Sequence, residues 1–260
     1  MREFCAPAAA AACLFACGIA APAFAQSDPS TFGTFYNIGT VPAGSFADVS
    51  GAVTGTQVGD GNFTFGEAFI TPTFLGGDTL GSNSQLNLFD GGEILTGFRS
   101  GLSDGTGSNT ELNVAGGTVG SFFRAFSGST VNISRGSVGS SFVALDGSTV
   151  NISGGSVGNF FDAFDGSTVN LFGTSFFLDG IELTDLVFGE SFTITDRDAT
   201  LTGLLADDSA FEFDLNSADV FGEDFFDVGT TLTVTLVPAP GAAGVLALAG
   251  LAASRRRRRG

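Results

Sequence analysis

Apolar and polar positions alternate in short runs through the middle of the chain, and the runs return every 19 residues. In Thr130-Val131-Asn132-Ile133-Ser134, strand alternation puts Val131 and Ile133 on one face and Thr130, Asn132 and Ser134 on the other. The same run returns as Thr149 to Ser153 and as Thr168 to Leu171, so that Asn113, Asn132, Asn151 and Asn170 stand 19 residues apart. Between the runs lie Gly116 to Gly120, Arg135 to Gly139 and Gly154 to Gly158, each ending in Val-Gly. A degenerate copy is visible at Leu86-Asn87-Leu88 with Gly91-Gly92-Glu93-Ile94, followed by a longer insert around Ser100 to Ser108. A period of this length, without helical spacing and rich in β-branched residues, predicts one coil of a parallel β-solenoid per repeat.

Stacked coils would build interior ladders from Val131/Val150/Val169 and Ile133/Ile152/Leu171, with further ladders from Phe123/Phe142/Phe161 and from Phe126/Leu145/Phe164. The Gly pairs are expected at the corners, where a positive φ is cheap only for Gly. Evenly spaced amides on a flat face suit a crystal lattice or a glycan. The same spacing suits a ladder in which each Asn hydrogen-bonds the next, and the ladder is the expected arrangement.

The period stops on both sides. Residues 26–80 are Gly/Thr/Phe-rich and read as an N-terminal β segment, short strands that could be degenerate opening coils. Residues 81–175 hold the repeats. Residues 176–236 are more acidic, and Ser191 to Thr195, Ala199 to Leu205, Ala210 to Leu215 and Thr231 to Leu236 alternate as half-buried strands, which predicts a closing β-rich cap. The fold class expected is therefore all-β, a short parallel β-solenoid of 19-residue coils with a β-rich C-terminal cap. A signal-peptide helix is expected before it and a hydrophobic helix after it.

Those two helices come from the ends of the chain. An Ala-rich apolar run ends in Ala23-Phe24-Ala25 before Gln26-Ser27-Asp28, the small-x-small pattern of signal peptidase cleavage, which predicts a leader over residues 1–25 cut after Ala25. Residues 237–260 read Val237-Pro238-Ala239-Pro240-Gly241, then an apolar stretch from Ala242 to Ala253, Ser254, and Arg255, Arg256, Arg257, Arg258 and Arg259. A Pro-x-Pro element, an apolar helix and a terminal Arg cluster in that order resemble the PEP-CTERM sorting tail of exported bacterial proteins. Ala239 stands where the family name implies Glu, and the apolar stretch is shorter than a full span. The resemblance implies transient retention in the inner membrane with the basic end inside, processing by a membrane protease of the exosortase type, and delivery to the cell surface or the extracellular space. Permanent anchoring is the alternative. The solenoid with this tail resembles exported bacterial β-helix repeat proteins, most of which lack an assigned activity.

Composition narrows the chemistry. The net charge is −17, and between the two terminal segments only Arg99, Arg124, Arg135 and Arg197 face 26 acidic residues, a balance near −22. Such a surface repels phosphate backbones, so no nucleic-acid partner is expected. The chain has no His and no Lys, and Cys5, Cys13 and Cys17 all lie in the leader. Ser-His-Asp catalysis, amine or thiol nucleophiles and His/Cys zinc sites are therefore excluded from the mature chain. Glycoside hydrolysis by paired carboxylates survives, with Asp162 and Asp165, or Asp146 and Asp165 in neighbouring coils, as candidates. So does polysaccharide lysis with calcium and an Arg base, for which Arg124, Arg135 and Arg197 are scattered. Asp146 and Asp165, each before Gly-Ser, read more simply as turn residues. Weak calcium candidates are Asp196, Asp198, Asp207 and Asp208, whose alternative is a solvated acidic face. The expectation is a structural or adhesive, non-enzymatic surface or matrix protein, with an extracellular polysaccharide as a possible partner and no catalytic, metal or cofactor site. A carbohydrate-active β-helix enzyme or a calcium-dependent glycan-binding module is the alternative.

Overall fold

The computed structural model describes residues 27–28, 31–40 and 79–239, and the backbone of the strands Val53–Gly55, Gln57–Val58 and Thr64–Phe65. The two expected terminal helices lie outside the described residues, with Ala25, Pro240 and Arg255 to Arg259. Among the described residues no helix is long and apolar enough to cross a membrane.

The fold is all-β. Strands gather into a 15-stranded and a 7-stranded sheet, and pairing between successive repeats is parallel in both, an arrangement compatible with a β-solenoid. In the larger sheet, Ser84–Leu88, Thr110–Val119, Ser129–Val138, Thr149–Ile152, Thr168–Leu178 and Thr231–Leu236 lie side by side in chain order. The smaller sheet is made of two-residue strands, among them Arg99–Ser100, Arg124–Ala125, Val143–Ala144, Asp162–Ala163 and Phe225–Phe226. One passage of the chain through both sheets is a rung.

Register follows the repeat. Thr130, Val131, Asn132 and Ile133 pair with Thr149, Val150, Asn151 and Ile152, and these with Thr168, Val169, Asn170 and Leu171. The degenerate copy is in the same register, with Leu86, Asn87 and Leu88 against Leu112, Asn113 and Val114, so the longer insert is expelled as a loop and the pairing is kept. One step earlier, Tyr36, Asn37 and Ile38 pair with the same three residues. At this end order in space departs from order in sequence, because Thr34–Ile38 sits between Val53–Gly55 and Ser84–Leu88.

The interior is a set of ladders. Leu86, Leu112, Val131, Val150, Val169 and Leu232 form one, and Leu88, Val114, Ile133, Ile152, Leu171 and Val234 another, all between 0% and 1% exposed. Phe98, Phe123, Phe142 and Phe161 stack on the opposite wall with centroid separations of 6.1, 4.8 and 4.8 Å, the last two equal to the spacing of paired strands. Phe126, Leu145 and Phe164, expected as a further interior ladder, are instead half-buried on the outside. Strand alternation decides this: Phe123 and Ala125 point inward, so Arg124 and Phe126 point out, and the same parity holds in the next two rungs.

Among the described residues of the smaller sheet, one inward strand position is polar. Ser100 lies between Leu80 and Ala125 in a column continued by Ala144 and Ala163, and its Oγ is fully buried with no hydrogen-bond partner. A lone hydroxyl in an apolar column carries an unreturned desolvation penalty. Ser100→Ala is expected to stabilise the fold by about 1 kcal/mol, read as a higher urea midpoint at unchanged slope.

The segment expected as a closing cap divides in two. Phe225–Phe226 and Thr231–Leu236 rejoin both sheets in parallel, against Asp162–Ala163 and Thr168 to Gly173, as one more rung. Before that, the chain leaves the end of Thr168–Leu178 and makes antiparallel strands at Ile181–Glu182, Ser191–Ile194, Thr200–Leu205 and Ala210–Asp214. Ser191–Ile194 covers the edge of Thr231–Leu236, and Phe213 closes the phenylalanine stack against Phe161 and Phe226 at 5.5 and 5.9 Å. Arg197 fastens this excursion to the last rung by donating to the carbonyls of Ile194, Asp196, Phe226, Asp227 and Thr230.

Candidate functional site

The two outer faces differ in kind. On the larger sheet the outward column is an amide ladder. Asn87 donates to Asn37, Asn113 to Asn87, Asn132 to Asn113, Asn151 to Asn132 and Asn170 to Asn151, each Nδ2 to Oδ1 at 2.7–3.0 Å. Thr233 closes it by donating to Asn170 Oδ1 at 2.7 Å. Asn37, Asn87, Asn113 and Asn132 are buried, so these amides bond one another and do not present themselves to a ligand. Beside the ladder Glu111 is 5% exposed, and its Oε1 accepts from Gln85 Nε2, Asn113 Nδ2 and the backbone N–H of Ser27.

The outer face of the smaller sheet begins with two arginines and passes through an apolar middle to Asp162 and the buried Phe225. Its central column reads Arg99, Arg124, Val143, Asp162 and Phe225, in register from rung to rung. Phe126, Leu145 and Phe164 run alongside, half-buried. At the corner before each of these strands the backbone is left-handed, at Gly97, Phe122, Ser141 and Phe160, with φ of 81°, 60°, 61° and 67°. For a bulky side chain this region is an outlier that costs about 1–2 kcal/mol. Phe122 nevertheless holds its ring 57% exposed.

Asp162 is the one carboxylate here whose ionisation is strongly displaced. Burial, then the nearby charges of Asp219 and Asp224, raise its pKa to about 6. Asp224 also accepts from the N–H of Phe161 at 2.9 Å, which ties the 216–224 loop to the rung. Of the two carboxylate pairs open from sequence, Asp162 with Asp165 is not the grouping found; the fold sets Asp162 near Asp219 and Asp224 from the 216–224 loop. Asp146 and Asp165 sit exposed at corners, each leaning over the glycine of the next rung, Gly166 and Gly229. Of the three arginines considered for lysis, Arg124 and Arg135 are exposed on different parts of the repeat, and Arg197 has its guanidinium engaged with carbonyls. Burial draws the Arg197 pKa down, opposed by the charges of Asp227 and Asp196.

The weak calcium candidates have local partners. Asp198 accepts from the N–H and hydroxyl of Ser217, which lower its pKa. Asp207 accepts from Ser209 and, through Oδ2, from the N–H of Gly155 at 2.8 Å. Asp196 and Asp208 are exposed. Among the described residues no group of three or more metal-ligating side chains is disposed to hold an ion. An open depression of about 600 Å³ lies over Phe177, Leu204 and Phe211 on the antiparallel excursion, and Glu212 is the one carboxylate in its lining.

No family model, curated protein or solved structure matches this chain. Pro238 and Ala239, the first two residues of the expected processing element, are exposed directly after the last strand, and Val237 is still tied to Gly173 by a 2.8 Å backbone hydrogen bond.

The titration of Asp162 has a measurable consequence. Its folded pKa lies above the ordinary carboxyl value of 3.8, so the fold binds its proton more tightly than the unfolded chain does. Stability from this group is complete below about pH 4 and is lost as pH rises through about 6. Asp162→Asn should raise the melting temperature at pH 7 by the equivalent of roughly 1 kcal/mol, after discounting for solvent screening, and leave it unchanged at pH 4. An equal shift at both pH values would remove the electrostatic explanation.

Proposed function

We propose that this chain is a non-enzymatic structural or adhesive protein of the cell surface or extracellular matrix, exported by the leader 1–25 and sorted through the tail 237–260. On this reading the body is a short β-solenoid with 19-residue coils, held out from the envelope as a stiff rod that meets an extracellular polysaccharide or a neighbouring cell. The observation that carries the reading is the amide ladder, six asparagines in line with a threonine at its end. It links successive rungs through a polar column that has little else to offer a ligand, as a stiffening element would. The sorting resemblance supplies the address: Pro238 and Ala239 stand exposed where a processing protease of the exosortase type would need them.

Fractionation of the native host tests the address. The full chain should appear at the surface or in the medium, and a chain ending at Leu236 should leave the cell without a membrane-associated intermediate. Equal membrane retention of both would defeat the sorting reading. Binding is tested with the full chain on immobilised polysaccharides of the same host, with and without calcium. Saturable binding without turnover is expected.

A carbohydrate-active enzyme is the second reading, favoured by the raised Asp162 beside Asp219 and Asp224. Release of reducing ends or unsaturated sugars that is lost in Asp162→Asn would establish it. Binding abolished by a chelator would point to the calcium-dependent module.

A further inference from the structure

The three middle rungs of the outer face of the smaller sheet are nearly symmetric about Val143. In the central column two arginines, Arg99 and Arg124, precede Val143, and Asp162 and then the buried Phe225 follow it, with Asp219 and Asp224 near Asp162. In the flanking column Phe126 and Phe164 stand on either side of Leu145. At the left-handed corner Phe122 and Phe160 stand on either side of Ser141. Like charges directly opposite one another, as in Arg99 and Arg124, destabilise a sheet, and here they face outward where Arg135 and Arg197 are the only other cations between the two terminal segments. Burial and like charge around Asp162 leave the other end equally uncompensated.

We infer that this face docks a second copy of the chain, antiparallel to the first, about a twofold axis that lies in the interface and runs along Val143–Ala144. Such an axis reverses the order of the rungs and keeps each column over itself, the self-complementary case of a closed dimer. Arg124 then meets Asp162 of the copy, and Arg99 lies over the rung of the copy's Phe225, which Asp224 directly precedes. Phe126 lies over Phe164, Phe122 over Phe160, and Val143 and Leu145 each meet their own equivalents on the axis. Gly97 offers no side chain in the rung that faces the loop bearing the fully exposed Phe221. Rotation about the long axis of the repeat would instead set arginine on arginine. A polymer of uniform charge would be attracted at one end of the strip and repelled at the other, so charge complementarity selects the second copy. Strain fits the same account, because two phenylalanines are held in the left-handed region with their rings outward, 57% and 36% exposed.

The strip spans five rungs, about 20 Å at strand spacing, which places the contact among small, reversible interfaces. Sedimentation velocity of the purified full-length chain should show a monomer–dimer equilibrium in the micromolar range. Arg124→Asp and Asp162→Arg, each folded by circular dichroism, should each weaken dimerisation about 100-fold, since each homodimer then opposes like charges twice. Mixing the two variants should restore the dimer, because in the mixed pair both contacts join Asp to Arg. A second measurement does not depend on the charge variants. With Cys5, Cys13 and Cys17 replaced by serine, Val143→Cys should give a covalent dimer with a thiol cross-linker of about 10 Å, the spacing of packed sheets, and Thr193→Cys should not. A wild-type chain that stays monomeric at high concentration overturns the inference. So do charge variants that dimerise like wild type, or a mixture of folded variants that stays monomeric. The inference is independent of export: a monomer at the cell surface defeats this dimer and leaves the proposed function standing.

Discussion

Phe142→Ala is expected to destabilise the fold by about 3–5 kcal/mol. Phe142 is fully buried and stacked on both sides, at 4.8 Å from Phe123 and 4.8 Å from Phe161. Removing it leaves a ring-sized void that the neighbours cannot fill, because their backbones are held at strand spacing by hydrogen bonds such as Val143 N to Phe123 O and Asp162 N to Phe142 O. Cavity cost grows when a site cannot collapse. Phe122 is the internal control: its ring is exposed, so Phe122→Ala should shift stability by no more than about 0.5 kcal/mol. Urea unfolding of the two variants at one concentration well below the micromolar range, where the chain is monomeric, separates them. Equal losses would mean that the stack is not the core of the repeat.

Asn132→Asp is expected to cost about 3–5 kcal/mol at neutral pH, the range for an uncompensated buried charge. Asn132 is 2% exposed, donates to Asn113 Oδ1 at 2.7 Å and accepts from Asn151 Nδ2 at 2.8 Å. A carboxylate keeps the second contact and turns the first into two facing acceptors in a poorly solvated column. Its folded pKa is consequently raised. The proton that restores the donor is retained at low pH, so stability is present below the ordinary carboxyl pKa and is lost as pH rises through the folded value. Thermal melts of the variant and wild type at pH 4 and pH 7 should therefore diverge only at the higher pH. A defect independent of pH would indicate that the ladder tolerates the charge and that the substitution acts through shape.

These two positions also show how much the residues alone disclose. Val131, Ile133, Phe123 and the asparagine column could be placed on their faces before any coordinates, because alternation within a strand and the 19-residue return are both written in nearest neighbours. Even Leu86-Asn87-Leu88 was legible across its longer insert, since parallel pairing needs matching side chains and no particular loop length. Asn37, which opens the ladder, carries no repeat around it and was missed. Phe126, Leu145 and Phe164 were placed inside on apolarity alone. Only the phase set by Phe123 and Ala125 puts them outside.

What the sequence determines by itself is the identity and spacing of the Val/Ile, Phe123 and Asn ladders and the absence of His and Lys. The leader and the tail are readings of the sequence alone. Tertiary structure decided the rest. Asp219 and Asp224 approach Asp162 because Phe225–Phe226 rejoins the sheet 63 residues after its partner strand, a path that no periodic signal marks. Arg197 became a tie between carbonyls, and Asp198 and Asp207 became turn acceptors, because the excursion folds back on the last rung. Periodicity is local information that repeats. The meeting of charges across an aperiodic insert depends on where the whole chain goes, and that is settled only when the rungs close.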